Sequence, residues 1–273
     1  MSDILQKILD TKRREVSDAK GRLPLEEIES RARDMPPARD FAGAIHAKLA
    51  AGKVAVIAEI KSASPSAGVF RSGLVGPGSG FDPAVFARSY EANGAACLSV
   101  LTDREYFQGS NQDLIAARAA CNIPVLRKDF IVDPYQIVEA RAIGADAVLF
   151  IMGAAPIEQF LEWEALAVSL GLSVLAESHS EAELRQAISL KTRLIGINNR
   201  DLTRFTTNIE TTLALKHFIP KDRVLVTESG IVDAATVKKM SACGVGAFLV
   251  GGALMQSLDP GLAMALLFAN THS

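Results

Sequence analysis

The chain has 273 residues, of which 49% are hydrophobic and 22% are charged, with a formal net charge of −2 and a pI near 6.1. This composition excludes a disordered chain, because the apolar content is sufficient to bury a large core. It gives no electrostatic case for a nucleic acid or an anionic membrane as partner, whereas a small anionic ligand stays compatible with a local basic pocket.

The three cysteines, Cys97, Cys121 and Cys243, lie far apart among apolar neighbours. They fit neither a disulfide framework nor a paired-cysteine metal motif, and Asp, His and Cys do not cluster at ligand spacing, so no metal is expected. The N-terminus lacks a basic start followed by an apolar block, and no apolar stretch is long enough to span a bilayer. We expect a cytoplasmic protein with reduced thiols and no membrane partner.

The first part of the chain predicts helices ahead of any strand. Apolar residues at helical spacing, with breaks at Gly21 and Pro36, predict helices over residues 3–20, 24–33 and 40–51. We interpret residues 1–52 as an N-terminal helical extension.

From Val54 onward, short β-rich runs alternate with helix-like segments. The eight predicted strands cover residues 54–60, 96–101, 123–127, 147–151, 173–176, 194–197, 224–227 and 247–250. Such alternation indicates parallel βα units, because parallel neighbours need a crossover connection. Eight units favour an α/β fold, a (β/α)₈ TIM barrel spanning residues 1–273 as a single domain, over the doubly wound open sheet that is its main competitor.

The connection after the first strand, residues 69–80, is long and rich in glycine. Long loops of this kind serve either as tolerated surface insertions or as lids over a site, and both interpretations stay open.

Polar side chains recur at the ends of five predicted strands. They are Glu59 and Lys61, Lys128 and Asp129, Glu177 and His179, Asn198, Asn199 and Arg200, and Glu228, Ser229 and Gly230. In a barrel the carboxyl ends of the strands form one mouth, so we expect these groups to converge. Strand alternation points Lys128, Glu177, Asn198 and Glu228 toward the barrel axis, and turns Arg127 and Asp129 outward as a structural pair.

Lysines facing carboxylates at partial burial can supply an acid and a base together, because neighbouring charges and desolvation shift their pKa values. The alternative is a salt-bridge network that only closes the barrel. His179 follows Glu177 by two residues and can share its face, but it can equally cap the next helix.

Small residues follow the last two predicted strands, Ser229-Gly230 after the seventh and Gly251-Gly252 after the eighth. Glycines let a phosphate approach backbone N–H groups, and barrels often bind phosphate at these two loops. The pattern predicts a small phosphorylated substrate.

Several motifs at successive strand ends together resemble indole-3-glycerol phosphate synthase. They are E-I-K-S-A-S-P-S at 59–66, L-T-D at 101–103, Y-F-Q-G-S at 106–110, L-R-K-D-F at 126–130, I-N-N-R-D-L at 197–202 and E-S-G-I at 228–231. The resemblance extends over nearly the whole chain, including the N-terminal extension.

The resemblance implies closure of the indole ring of 1-(2-carboxyphenylamino)-1-deoxyribulose 5-phosphate, with loss of carbon dioxide and water, in tryptophan biosynthesis and without a cofactor. It implies that Lys128 is the general acid and Glu177 the carboxylate that transfers a proton in the dehydration. Lys61 matches the lysine that contacts the anionic substrate. Glu59, Asn198 and Glu228 match polar residues that position the substrate and the lysines.

The resemblance also implies binding positions. Arg200 is a neighbouring candidate for binding an anion, and the phosphate falls at Ser229, Gly230, Gly251 and Gly252. The candidates for the anthranilate ring are Phe107, Phe130 and Pro65, and Ser64 begins a mobile cover over the two lysines.

The sequence is also compared with two alternative functions of a phosphate-binding barrel, an isomerase and a non-catalytic protein. Phosphoribosylanthranilate isomerase is another barrel that acts on an anthranilate sugar phosphate, but its acid–base pair is expected as Cys and Asp, whereas this chain offers Glu59, Lys61 and Glu177. The second is a non-catalytic phosphate-binding barrel. The sequence leaves the oligomeric state open, with a monomer favoured.

Overall fold

A computed structural model describes residues 3–65, 68–71, 74, 78–201 and 206–269. The strands are, in chain order, β1 (Ala55–Ile60), β2 (Ala63–Ser64), β3 (Gly68–Val69), β4 (Cys97–Leu101), β5 (Val125–Lys128), β6 (Ala147–Ile151), β7 (Ser173–Ser178), β8 (Leu194–Asn198), β9 (Val224–Glu228) and β10 (Ala247–Val250). Eight of them close a parallel barrel in the order β1-β10-β9-β8-β7-β6-β5-β4, while β2 and β3 form a small antiparallel hairpin. The predicted (β/α)₈ barrel is therefore confirmed.

The helices lie outside the barrel and at its two ends. They are α1 (Asp3–Arg22), α2 (Leu25–Asp34), α3 (Phe41–Ala50), α4 (Pro83–Ala92), α5 (Asn111–Ala120), α6 (Tyr135–Ala142), α7 (Ile157–Ser169), α8 (Glu181–Ser189), α9 (Glu210–Leu215), α10 (Ala234–Ala242), α11 (Gly252–Met255) and α12 (Pro260–Leu267), with a 3₁₀ turn over Lys216–Phe218. Sequence analysis missed the β2–β3 hairpin, α11 and α12.

The barrel strands are buried on both faces, as parallel strands covered by helices must be. The predicted strand positions are confirmed, but four predicted strand ends came one or two residues early. Lys128, Asn198 and Glu228 are the last residues of β5, β8 and β9, and Glu177 lies within β7. Their backbones are therefore fixed by ladder hydrogen bonds and not carried on loops.

The N-terminal extension contacts both ends of the barrel. Phe41 and Ile45 of α3 are fully buried, and α3 packs against β1 and β4. A cavity between α3 and Leu194 and Val224 lies where β8 and β9 begin, which places α3 at the amino-terminal end of the strands. α2 packs on α6, and α1 runs along the opposite end, where the strands finish.

Lys12 fixes α1 at this opposite end. The structure buries Lys12 on the helix face that carries Ile8 and Leu9, with 3% exposure. Its ammonium lies 2.9 Å from Asp103 Oδ1 and 3.0 Å from Asp129 Oδ1, both in the connections that follow β4 and β5. A buried cation is stable there because two carboxylates neutralise it.

The glycine-rich connection after β1 is described only in part, since residues 66, 67, 72, 73 and 75–77 lie outside the described ranges. Arg71 is 7% exposed, and its guanidinium donates to the backbone carbonyls of Met255 at 3.1 Å and Ser257 at 2.8 Å. It also donates to Ser79 and Gly80 at 3.2 and 3.1 Å. Arg71 thus ties this connection to the segment between α11 and α12.

In the described parts of the chain, no helix combines the length and the apolar composition that crossing a bilayer requires.

Candidate active site

A pocket of about 430 Å³ opens at the carboxyl ends of the barrel strands, and we call it the central pocket. Its lining contains Glu59, Lys61, Lys128, Glu177, Arg200 and Glu228, which sequence analysis placed at the mouth, and also Asp129. Asn198, Ser64, Phe107, Phe130, Ser229, Gly230, Gly251 and Gly252 line it as well. The structure therefore shows that the polar residues at the strand ends converge on one pocket.

Strand register explains why these side chains meet. Lys128 lies beside Leu101, Glu177 beside Ile151, and Asn198 beside Glu228. One step down the strands, Leu126, Leu149, Leu175 and Val226 occupy the next inward positions. Since alternate side chains share a face, a polar layer rests on an apolar layer, and the polar groups cannot withdraw into the barrel.

Lys128 is held between two carboxylates. Its Nζ lies 2.6 Å from Oε2 of Glu177 and 3.2 Å from Oε2 of Glu228. Burial alone would lower the pKa of Lys128, but the charges of Glu177 and Glu228, with that of Glu59, outweigh it and raise the pKa above its ordinary value. Lys128 is therefore an ammonium at neutral pH.

The two carboxylates differ in protonation. Burial would raise the pKa of Glu177, but the ammonium of Lys128 and the neighbouring His179 hold it well below its usual range. Burial and the charge of Glu177 raise the pKa of Glu228 to about 8. Glu177 is thus a carboxylate and Glu228 mostly a neutral acid at pH 7, as expected for acidic groups that share one site.

Asn198 and Gly196 shape the space around these carboxylates. The Nδ2 of Asn198 donates to Oε1 of Glu177 at 3.1 Å, and its Oδ1 accepts from the backbone N–H of Arg200 at 3.0 Å. A Cβ on Gly196 would lie 3.5 Å from Cδ of Glu228 and would overlap its Oε1, so glycine leaves the room that this carboxyl group occupies.

Lys61 lies nearer the rim of the central pocket. Its Nζ is 2.5 Å from Oε1 of Glu59 and lies 5.2 Å from the ring centre of Phe70, which sequence analysis did not select. A Cβ on Gly251 would come within 2.9 Å of Cβ of Glu59. Glycine at position 251 therefore leaves room for the side chain of Glu59, which pairs with Lys61, to pack against the end of β10.

The backbone after β9 is locally unusual. Ser229 and Gly230 both adopt left-handed conformations, with φ of 63° and 80°. Asn199 fixes this turn, because its Nδ2 donates to the carbonyl of Ser229 and to Oγ1 of Thr227, each at 3.0 Å. A non-glycine residue at positive φ is uncommon and is held here by its surroundings.

The apolar wall comes from the connections after β4 and β5. The rings of Phe107 and Phe130 lie 6.1 Å apart, and Phe130 is buried. Asp103 orders the first connection, because its Oδ2 accepts from the backbone N–H groups of Tyr106 at 2.9 Å and Phe107 at 3.2 Å. Pro65, predicted to join this wall, is exposed and lies outside the described lining of the pocket.

Behind Lys128, its neighbours in sequence form the outward pair that alternation predicts. Arg127 lies 3.3 Å from Asp129 and 2.7 Å from Glu139 of α6. Asp129 also accepts from the hydroxyl of Thr102 at 2.6 Å. These contacts, with Lys12, hold the end of β5 from the outside.

His179 is closer to the site than the helix-capping interpretation implied. Its Nε2 lies 3.3 Å from Oε1 of Glu177, and its Nδ1 lies 3.2 Å from Oε2 of Glu183. The helix cap is instead Ser180, whose Oγ accepts from the N–H of Glu183. Spacing by two from Glu177 was the signal that could have selected His179, whereas no comparable signal marked Glu183.

Within the described residues, no group of three or more His, Cys, Asp or Glu side chains has an arrangement that could hold a metal ion.

Comparison with known proteins identifies the family. A family model described as indole-3-glycerol phosphate synthase matches residues 5–267. The chain belongs to the indole-3-glycerol phosphate synthase family. Curated relatives carrying that name include one from Acidithiobacillus ferrooxidans, 54% identical over 98% of this chain and 99% of its own length, and one from Burkholderia vietnamiensis, 55% identical over 98% of this chain and 100% of its own length.

A solved structure described as "Native KDPGal structure" superposes with a TM-score of 0.52 at 16% identity, over 79% of this chain and 93% of that chain. At that identity the likeness concerns the barrel fold alone. The family resemblance drawn from the strand-end motifs is confirmed over the length that the family model covers.

Proposed function

We propose that the chain is an indole-3-glycerol phosphate synthase, a carboxy-lyase of tryptophan biosynthesis, and that Lys128 and Glu177 carry its acid–base chemistry. Its substrate is 1-(2-carboxyphenylamino)-1-deoxyribulose 5-phosphate, whose indole ring it closes with loss of carbon dioxide and water. The observation that carries the residue assignment is the ammonium of Lys128, 2.6 Å from Glu177 on the floor of the central pocket.

Lys128 acts in the first step as general acid. The aromatic carbon attacks the substrate carbonyl, and the developing alkoxide takes a proton from the ammonium. The raised pKa of Lys128 keeps the donor form populated. An alkoxide is a stronger base than an amine, so the transfer still runs downhill.

Glu177 then takes a proton from the ring carbon during dehydration. Its lowered pKa provides a carboxylate ready to accept. Once Lys128 has given up its proton, the charge that depresses the pKa of Glu177 is gone, and the carboxylate becomes a stronger base. The first step therefore activates the group that the later step needs.

Lys61 contacts the substrate anion at the rim and assists departure of the hydroxyl group as water. Glu59 holds its ammonium at 2.5 Å. Lys61, Lys128 and Arg200 bring three cations to the lining of the central pocket, where they can pair with a substrate that carries both a carboxylate and a phosphate.

The phosphate binds at the loops after β9 and β10. Supporting this are the left-handed turn at Ser229 and Gly230 and the first-turn N–H groups of α11, which begins at Gly252. Amides of a first helical turn have no intrahelical acceptor and are free to bind an anion. Arg200 lines the same pocket and adds a cation.

The anthranilate ring lies against Phe107 and Phe130, the apolar wall of the pocket. The reaction needs no cofactor, since the carbonyl is the electrophile and the carboxylate leaves as carbon dioxide. We propose a monomer that acts in the cytoplasm without nucleic acid or membrane as partner. Sedimentation at micromolar concentration tests the monomer.

The decisive assay for the activity is incubation of the protein with the carboxyphenylamino deoxyribulose phosphate while indole fluorescence is followed. Indole formation at an enzymatic rate supports the proposal. Turnover of phosphoribosylanthranilate instead would favour the isomerase, and binding of the substrate without any product would favour a non-catalytic barrel. Either result contradicts the proposed function.

A further inference from the structure

The imidazole of His179 bridges two carboxylates that belong to different environments. Glu177, 3.3 Å from its Nε2, is 2% exposed and lies on the floor of the central pocket. Glu183, 3.2 Å from its Nδ1, keeps 28% of its side chain exposed. The three groups form a continuous series from the buried floor to the surface.

A second cavity lies at the outer end of this series, and we call it the side cavity. Its volume is about 650 Å³, and it is lined by His179 and Glu183 together with the exposed Thr206 and Asn208. Asn198 and Arg200 line both this cavity and the central pocket. The side cavity therefore touches His179 and Asn198, both of which contact Glu177.

His179 carries a proton under working conditions. Burial would lower its pKa, but Glu177 and Glu183 outweigh this and raise it to about 10. The other charged groups that line the side cavity are Arg200 and Asp201, which carry opposite charges. The Nε2 of the imidazolium makes no hydrogen bond within the described residues, and Oε1 of Glu177 lies 3.3 Å away, so a small turn of the ring brings this proton donor onto the carboxylate that the chemistry uses.

Given the ring closure proposed above, on which this inference rests, the reaction consumes one proton per turnover. Lys128 gives one proton to the carbonyl oxygen, a second proton leaves with the hydroxyl group as water, and Glu177 recovers one from the ring carbon. The carboxylate departs as neutral carbon dioxide and returns none. One proton must therefore enter from solvent in every cycle.

We propose that His179 is the relay residue that supplies this proton from the side cavity. The Nε2–H bond of the imidazolium breaks as an O–H bond forms on Glu177, and the proton passes on to the neutral amine of Lys128, 2.6 Å from that carboxylate. The neutral imidazole then takes a proton from water in the side cavity. Glu183 holds the ring in place and favours its charged form.

The test compares the first turnover with later ones in His179→Gln. With enzyme in excess over substrate, indole should form at a rate within about threefold of wild type, because Lys128 starts protonated. In steady state the rate should fall by about tenfold or more, since loss of a general acid–base group typically costs about 10²–10⁴-fold. Added imidazole should restore steady-state turnover in a saturable manner, and should leave the wild type unchanged.

A merely structural role for His179 predicts a different pattern. Both rates would then fall by the same factor and imidazole would restore neither, which would overturn the relay. Glu183→Gln is the second variant, because it keeps the imidazole and removes one of the carboxylates that raise its pKa. Its steady-state rate should decline at lower pH than that of wild type, and an unshifted profile would also contradict the relay.

Wild-type turnover in the same assay separates this inference from the proposed function. Absence of indole from the wild type refutes the ring-closure assignment and the relay together. Normal wild-type turnover with an equal loss of both rates in His179→Gln refutes the relay alone.

Discussion

The Nζ of Lys128 lies 2.6 Å from Oε2 of Glu177, and the same carboxylate accepts through its other oxygen from Asn198 at 3.1 Å. Glu177 is thus oriented by two neighbours that come from different strands. This pairing links the group that we assign to ring closure with the group that we assign to dehydration, so the two roles can be separated experimentally.

Glu177→Gln should separate carbon dioxide release from indole formation. Glutamine fills the same space but cannot take a proton, so indole formation should fall by about 10²–10⁴-fold. Release of carbon dioxide precedes dehydration and should be impaired less, because loss of the charge of Glu177 lets Glu228 ionise and pair with Lys128 at 3.2 Å. Carbon dioxide and indole fluorescence measured in one reaction test this.

The matched control for that experiment is Glu158→Gln, which alters an exposed carboxylate on α7. It should leave both rates at the wild-type level. If Glu177→Gln reduces carbon dioxide and indole by the same factor, the assignment of Glu177 to the later step is wrong.

The pH dependence of stability should report Glu228 and His179. The pKa of Glu228 is raised from 4.5 to about 8, and that of His179 from 6.5 to about 10. Between each pair of values the folded protein holds a proton that the unfolded chain releases, so stability falls as pH rises. Glu228→Gln should remove the decline between about 4.5 and 8, and His179→Gln the decline between about 6.5 and 10.

Melting temperatures of the wild type and both variants, recorded from pH 5 to pH 10, test this prediction. Each variant's difference from wild type should change with pH only within its own window. Curves that stay parallel to the wild type throughout would show that these two groups keep ordinary pKa values in the folded protein.

Lys12→Met should destabilise the fold far more than Arg13→Met, its neighbour on α1. Removing Lys12 takes the cation from buried Asp103 and leaves Asp129 with Arg127 alone, and breaking such a buried pair costs about 3–5 kcal/mol. Arg13 pairs with Asp10 at half exposure, where a salt bridge contributes about 0–1 kcal/mol. Urea unfolding gives both free energies, and equal losses would contradict the anchoring role of Lys12.

Gly251→Ala and Gly252→Ala form a matched pair at the end of β10. A Cβ at position 251 would come within 2.9 Å of Cβ and 3.0 Å of Cδ of Glu59, which would displace the partner of Lys61. A Cβ at position 252 would meet its nearest neighbour, in Phe70, at an ordinary 3.4 Å. We expect Gly251→Ala to lose most of its activity and Gly252→Ala to keep it, as kcat and KM for indole formation will show.

If Gly252→Ala lost more activity than Gly251→Ala, the prediction would be wrong. The space that bound substrate needs beside Gly252 would then matter more than the space that Glu59 needs beside Gly251. The glycine at position 251 follows from the close approach of the Glu59 side chain, which a side chain at that position would prevent.

The barrel and the polar layer at its mouth could be predicted from sequence because the evidence is local. A buried parallel strand alternates with period two, so a single charge at its end, such as Lys128 or Glu228, has only one direction in which to point.

The contacts that sequence analysis missed depend on distant partners. A lysine on an amphipathic helix is usually solvated. No residue near Lys12 in the sequence indicates that it will form ion pairs with Asp103 and Asp129. Glu183 looks like an ordinary first-turn acid of α8 until the fold brings His179 against Glu177. Pro65, which was predicted to contact the anthranilate ring, lies outside the lining of the central pocket because the β2–β3 hairpin places it at the surface.

The central claim is that Lys128 is the general acid of ring closure, and Lys128→Ala tests it most directly. Stopped-flow measurement of a single turnover, by indole fluorescence, should give a rate about 10²–10⁴-fold below wild type, while exposed Lys239→Ala on α10 stays unchanged. Substrate affinity should change far less than the rate. Undiminished turnover in Lys128→Ala would contradict the assignment.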